Sequence, residues 1–168
     1  MKLIAILPLA LAALATSVLA QEAALEGDPA AGKTAFAVCS SCHDVSENPR
    51  NRMGPYLTGV VGRPAASVEG FTYSQAMNEA RDAGLVWTPE SLKAFISGPH
   101  DYVPGTKMPN IIVRDETART NLVAYLQSLS PDYDPETQVS TYTPPGGEAE
   151  GGASSAESSA ASAPSSAQ

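Results

Sequence analysis

Apolar side chains recur at helical spacing in several stretches of the 168-residue chain, and no stretch shows the strict alternation typical of strands. The clearest pattern predicts a helix over residues 116–129, which Pro131 ends. Two shorter helices are predicted over residues 73–83 and 89–97, and the second follows the capping sequence Thr88-Pro89-Glu90. These patterns predict an all-α domain.

Another helix is predicted to open at Asp28-Pro29, where a carboxylate caps the helix and proline takes the first helical position. Gly32, Phe36 and Cys39 follow at near-helical spacing. Glycine inside a helix is costly unless another backbone packs closely against it. Gly32 therefore marks either a tolerated glycine or a place where another backbone comes close.

Residues 44–70 have no sustained period and are rich in glycine and proline. So long a coil in a small domain is usually either functional or disordered, and we predict an ordered loop. The apolar side chains within residues 53–63 would allow this loop to pack against a flat partner.

The two ends of the chain differ in composition from the middle. Residues 1–20 have the features of a secretory signal peptide: Lys2, an apolar run and the cleavage sequence Val18-Leu19-Ala20. We expect cleavage after Ala20 and export to the periplasm, with an uncleaved membrane anchor as the alternative. Residues 131–168, rich in Pro, Thr, Gly, Ala and Ser, are predicted to be a disordered acidic tail. Residues 21–130 then form the one folded domain.

The chain is acidic, with a net charge of −8. Six of its acids lie beyond Pro131, so most of the excess negative charge belongs to the predicted tail. A protein of this charge is a poor candidate for binding nucleic acid. We expect a monomer.

The chemistry of the chain is concentrated in Cys39-Ser40-Ser41-Cys42-His43. Two thiols three residues apart, followed directly by an imidazole, are the signature of c-type haem attachment. On a helix that ends here, positions i, i+3 and i+4 share one face, so both sulfurs can reach one porphyrin while His43 faces its iron. Neutral imidazole is a good iron ligand. The motif predicts one covalently attached haem c.

Other uses of these residues fit less well. A thioredoxin-like redox pair belongs to a βαβ pattern, which this sequence lacks. A structural zinc site needs four ligands, and the adjacent Cys42 and His43 would be an awkward pair around one tetrahedral ion. A plain disulfide between Cys39 and Cys42 would leave His43 without a role.

Haem iron needs a second axial ligand or an open position, and Met53, Met77, His100 and Met108 compete for it. Met108 lies in a proline-flanked loop 65 residues after His43, enough chain to reach the opposite face of the ring. Met77 falls in a predicted helix, Met53 lies close to His43 in sequence, and His100 occupies a polar turn expected to be solvated. The pattern favours Met108.

Residues from about 28 to 129 resemble a class I cytochrome c, especially the soluble α-proteobacterial type related to mitochondrial cytochrome c. The resemblance rests on the cysteine motif, the loop sequence from Gly54 to Arg63, Gly84-Leu85-Val86-Trp87 and Pro104-Gly105-Thr106-Lys107-Met108, in this order and spacing. It implies four to five helices wrapped around one covalently bound haem. The predicted tail lies outside the match.

The resemblance also implies roles for single residues. The carbonyl of Pro55 would hold the second ring nitrogen of the axial histidine. Arg63, Tyr73 and Trp87 would hold the haem propionates, and Thr106 would support the side of the axial methionine.

Two further features follow from the same resemblance. Gly32 and Phe36 would meet Leu122 and Tyr125 where the terminal helices cross. Phe95 departs from the family pattern, because the family often places there a tyrosine whose hydroxyl hydrogen-bonds near the methionine sulfur. The sequence also has few lysines, whereas mitochondrial relatives surround the haem edge with them.

The implied function is that of a periplasmic one-electron carrier, not an enzyme. The implied partners are membrane electron-transfer complexes, such as quinol–cytochrome c reductase and a terminal oxidase or other reductase, met by transient docking. Lys33, Lys93 and Lys107 are the bases expected nearest the haem edge. The rival functions are a haem enzyme or gas binder with an open iron, which needs Met108 absent or labile, and a binding module that acts through the tail.

Overall fold

The structure, a computed structural model, describes residues 26–146. The predicted signal peptide (residues 1–20) and residues 147–168 lie outside the described residues. No helix among residues 26–146 is long and apolar enough to cross a membrane.

Helices account for all the regular structure of the described part. They are α1 (Pro29–Ala35), α2 (Gln75–Asp82), α3 (Pro89–Ser97), α4 (Pro99–Tyr102) and α5 (Glu116–Ser128), with a 3₁₀ turn over Phe36–Val38 that continues α1. Within residues 26–146 no strand forms, and the sheet-like pairing is limited to one isolated bridge between Pro64 and Val86. The all-α prediction is confirmed, while the short α4 has no counterpart among the predicted helices.

Four helices begin at a side-chain cap. Asp28, Ser74, Thr88 and Asp115 each accept a hydrogen bond from a backbone N–H two or three residues later, at 2.6–3.2 Å. Such a cap contributes about 1 kcal/mol. The caps that the sequence marks at Asp28 and Thr88 are therefore the actual helix starts.

The terminal helices α1 and α5 cross at Gly32. A side chain at this position would collide with the backbone carbonyl of Asn121, and the ring of Phe36 meets that of Tyr125 at 5.8 Å. The Asn121 side chain also accepts a hydrogen bond from the Asp28 N–H at 2.8 Å. The mid-helix glycine thus marks a close backbone approach, as the family resemblance implies.

The long loop over residues 44–70 is tied to distant parts of the chain by backbone hydrogen bonds. The Val61 N–H donates to the Ser130 hydroxyl at 3.1 Å, and the Gly62 N–H donates to the Trp87 carbonyl at 2.9 Å. Val61 is itself buried. The loop is therefore an ordered wall of the domain.

Residues 131–146 differ from the predicted disordered tail. Tyr133 and Tyr142 are partly buried against the core, and the Thr141 N–H donates to the Gly84 carbonyl at 3.1 Å. The packed structure therefore continues past the predicted boundary at Ser130. For residues 147–168 disorder stays a prediction.

A chain that ends at Ser130 should be less stable than one that ends at Gly146. It lacks the partly buried rings of Tyr133 and Tyr142 and the hydrogen bond from the Tyr142 hydroxyl to the Tyr102 carbonyl. We expect their loss to lower the free energy of unfolding by about 3 kcal/mol. Denaturant unfolding of the two haem-containing proteins, followed by far-UV circular dichroism, measures the difference. Equal midpoints would show that residues 131–146 add nothing to the stability of the domain.

Candidate haem site

A cavity of about 240 Å³ lies between the end of α1, the 44–70 loop, α3 and α5. Most of its wall is apolar. Every site residue expected from the sequence lines it: Cys39, Cys42, His43, Pro55, Arg63, Tyr73, Trp87, Thr106 and Met108. Side chains spread over 70 positions of the sequence thus share one cavity.

The cysteine motif forms a tight turn directly after the 3₁₀ turn. The N–H groups of Cys42 and His43 both donate to the Cys39 carbonyl, at 3.1 and 3.0 Å. The guanidinium of Arg52 donates to the Ser40 carbonyl at 2.8 Å and so fastens the turn from outside. The turn continues the helical path of α1, which places all three motif side chains at the cavity.

No disulfide joins Cys39 and Cys42 in this structure. Burial, and secondarily the neighbouring Cys42, raises the pKa of the Cys39 thiol to about 11. A redox-active Cys-x-x-Cys pair needs a lowered thiol pKa instead. The electrostatics of the pair therefore disfavour the thioredoxin-like alternative.

The ring of His43 is held in one orientation. Its Nδ1 donates to the Pro55 carbonyl at 2.6 Å, which leaves the lone pair of the neutral ring on Nε2. Burial lowers the pKa of His43, although the hydrogen bond to Pro55 opposes this shift. The neutral form, which binds metal, is therefore favoured. Gly54 lies against the ring, where any side chain would collide with it.

Met108 lies on a loop held by two hydrogen bonds. Its N–H donates to the Thr106 hydroxyl at 3.3 Å, and the Nε2 of His100 donates to its carbonyl at 2.9 Å. His100 is exposed, as the sequence predicts, and in addition supports the backbone of the loop. Met53 and Met77 also line the cavity; Met77 is buried on α2, while Met53 is 78% exposed.

One part of the cavity wall is cationic. The guanidinium of Arg63 donates to the carbonyls of Tyr56 and Thr58 at 2.8 and 3.2 Å and lies 5.1 Å from the centre of the Tyr56 ring. Burial lowers the pKa of Arg63, and burial raises the pKa of Tyr73 beside it. Among residues 26–146 no carboxylate forms a salt bridge with Arg63. A partly buried cation of this kind favours an anionic group from a ligand.

The donor set and the wall fit a haem. Two thiols and a neutral imidazole stand at one part of an apolar cavity, and an uncompensated guanidinium, a phenol and an indole stand at another. A haem has the matching vinyl groups, iron, apolar ring and carboxylates. Within the described part of the chain, no group of three or more Cys, His, Asp or Glu side chains could hold a bare metal ion, so the zinc alternative has no support there.

Phe95 is buried in the cavity wall, where its ring lies 5.0 Å from that of Trp87 and 6.2 Å from that of Tyr102. This position therefore contributes an apolar ring and no hydroxyl. The sequence does not reveal the contact of Arg52 with the cysteine turn or that of His100 with the Met108 carbonyl. Both act on backbone carbonyls, and the sequence carries no signal for such contacts.

Comparison with known proteins gives a uniform result. The family model described as Cytochrome c matches residues 29–130. Cytochrome c2 of Afifella marina is 42% identical over 118 residues, which cover 70% of this chain and 95% of that protein. Cytochrome c2 of Agrobacterium tumefaciens is 44% identical over 101 residues, which cover 60% of this chain and 91% of that protein. The solved cytochrome c2 of Rhodospirillum centenum has a TM-score of 0.60 at 38% identity and covers 62% of this chain and 100% of that one.

Replacement of Gly54 by alanine should disturb the histidine side of the cavity. The added methyl group would overlap the His43 ring, and we expect a loss of about 2–3 kcal/mol in the free energy of unfolding together with a changed haem spectrum. Gly59→Ala is the control, since its methyl group meets no atom within 4 Å and it costs only the strain of a positive φ. Equal effects of both variants on the spectrum would contradict the assigned position of His43.

Proposed function

The chain belongs to the cytochrome c family, and we propose that His43 and Met108 are the two axial ligands of its haem iron. The haem is a single c-type group bound covalently, and Cys39 and Cys42 fit its attachment motif. The protein is a carrier of single electrons between respiratory or photosynthetic complexes. We further propose that it acts in the periplasm as a monomer, without enzymatic activity and without binding nucleic acid.

The observation that carries the ligand proposal is the geometry of His43. Its Nδ1 is engaged by the Pro55 carbonyl, so Nε2 is the nitrogen available to a metal in the cavity. Met108 lines the same cavity on a loop held at both its N–H and its carbonyl. A loop fixed in this way can present a thioether without large movement, which favours Met108 over the exposed Met53.

When bound, the haem supplies a reversible one-electron change at its iron. The chain contributes fixed surroundings to this change. Pro55 sets the orientation of the His43 ring, and the apolar wall would exclude water from a bound haem. Arg63, Tyr73 and Trp87 would neutralise and hydrogen-bond the carboxylates of the haem. With His43 and Met108 both holding the iron, the site would need no general acid, base or substrate pocket.

The partners that we propose are membrane electron-transfer complexes, such as quinol–cytochrome c reductase and a terminal oxidase or other reductase. Two basic side chains support a docking edge at the cavity. Lys107 lines the cavity and donates to the Tyr73 carbonyl at 3.4 Å, and Arg52 fastens the cysteine turn. Lys93 is a weaker candidate, because its ammonium lies 2.6 Å from the carboxylate of Glu26.

Replacement of Met108 by leucine should remove the thioether without emptying its space. The ferric protein should keep its covalent haem but lose the weak near-infrared sulfur-to-iron band, and its reduction potential should fall, because histidine–methionine ligation favours the ferrous state. Absorption spectroscopy and a redox titration measure both effects. Met53→Leu and Met77→Leu are the matched controls, and survival of the band in the Met108 variant would refute the ligand proposal.

Charge reversal at Lys107 tests the docking edge. Lys107→Glu should slow electron transfer to an oxidase-containing membrane preparation by about an order of magnitude at low salt, and the effect should shrink as ionic strength rises. Arg81→Glu makes the same change in net charge on α2. Stopped-flow rates at two ionic strengths separate the two variants. Faster transfer by the Lys107 variant would mean that the partner presents a basic face.

A further inference from the structure

The segment after α5 follows a defined path over the domain; we refer to residues 132–143 as the C-terminal strap. It first makes a closed turn, in which the carboxylate of Asp134 accepts hydrogen bonds from the Glu136 N–H at 2.9 Å and the Thr137 hydroxyl at 2.8 Å. The Gln138 side chain accepts from the Asp134 N–H at 2.6 Å. After this turn the chain runs back to residues 84–86.

The strap then joins the segment that leads into Trp87. The Thr141 N–H donates to the Gly84 carbonyl at 3.1 Å, and the Val86 N–H donates to the Ser140 hydroxyl at 3.3 Å. A side chain at position 84 would collide with the Thr141 hydroxyl. The strap is therefore attached to the segment directly before Trp87, which is itself a residue of the cavity wall.

The last contact of the strap is made by Tyr142. Its hydroxyl donates to the Tyr102 carbonyl at 2.9 Å, and the two rings lie 5.5 Å apart. Tyr102 ends α4, where a helix leaves carbonyls without helical partners. Burial raises the pKa of Tyr142, so its hydroxyl stays protonated and able to donate at neutral pH.

Tyr102 is also the start of the loop that carries Met108. The next residue, Val103, is 1% exposed and accepts a hydrogen bond from the Thr106 N–H at 3.0 Å. The Thr106 hydroxyl in turn accepts from the Met108 N–H. A continuous series of contacts thus connects Tyr142 with Met108.

We propose that the C-terminal strap positions the Met108 loop, and that Tyr142 is the positioning residue through which it acts. The strap holds the carbonyl at which the loop begins, while His100 holds the carbonyl of Met108 itself. Loss of the Tyr142 hydroxyl removes one of the contacts that hold the start of the loop, so that the thioether of Met108 would leave a bound iron more often. This inference rests on the proposed ligation by Met108.

The experiment compares the full-length, haem-containing protein with Tyr142→Phe, which removes only the hydroxyl. Imidazole is added to the ferric proteins, and displacement of the thioether is followed by loss of the near-infrared band. We expect half-displacement in Tyr142→Phe at an imidazole concentration about fivefold lower than in the unsubstituted protein. Tyr133→Phe is the matched control, because the Tyr133 hydroxyl forms no hydrogen bond with the described residues.

Amide hydrogen exchange at Val103 and Thr106 gives a second measurement that does not depend on the ligand. Faster exchange in Tyr142→Phe, together with easier displacement by imidazole, supports the proposal. If Tyr142→Phe shows the band and needs the same imidazole concentration for half-displacement as the unsubstituted protein, the proposal is overturned. It is also overturned if Tyr133→Phe lowers this concentration as much as Tyr142→Phe does. If the unsubstituted protein lacks the band, the proposed ligation by Met108 is wrong, and hydrogen exchange alone tests the strap. Faster exchange in Tyr142→Phe then supports a strap that holds this loop. Unchanged exchange overturns the strap proposal.

Discussion

The close crossing of α1 and α5 is the contact on which the cavity depends. It is close because Gly32 has no side chain to separate the two backbones. Phe36 lies in the 3₁₀ turn that continues α1, and Leu122 and Leu126 lie on α5. All three side chains line the cavity. The crossing therefore joins the two ends of the domain and at the same time builds the apolar wall behind the cysteine motif.

The polar groups of the site are set by burial more than by ion pairs. His43 is kept neutral by burial while a backbone carbonyl fixes its ring, and Arg63 is held by backbone carbonyls with no carboxylate bridge in the described part of the chain. The Nε2 lone pair of His43 is therefore not used by the protein itself, and neither is the positive charge of Arg63. These are the properties that iron and a propionate require.

Much of this architecture could be predicted from the sequence. The attachment motif is specific because its chemistry fixes its spacing, and the caps at Asp28 and Thr88 mark helix starts because a capping side chain acts within three residues. The strap could not be predicted, since its tyrosines at 133 and 142 follow no period and lie among residues typical of disorder. The contact of His100 with the Met108 carbonyl was equally hidden, because hydrogen bonds from a side chain to a backbone group leave no pattern in composition.

The crossing of α1 and α5 has a consequence for the order of assembly. Asp28 and Asn121 are 93 positions apart, so their contact closes a loop that spans nearly the whole domain. A chain synthesised from its N-terminus cannot close this loop until almost all of the domain has been made. The cysteine motif is complete much earlier, while the cavity does not yet exist. The thiols are therefore most accessible to haem before the domain folds, and a haem attached at that stage would offer a surface on which the late contacts could form.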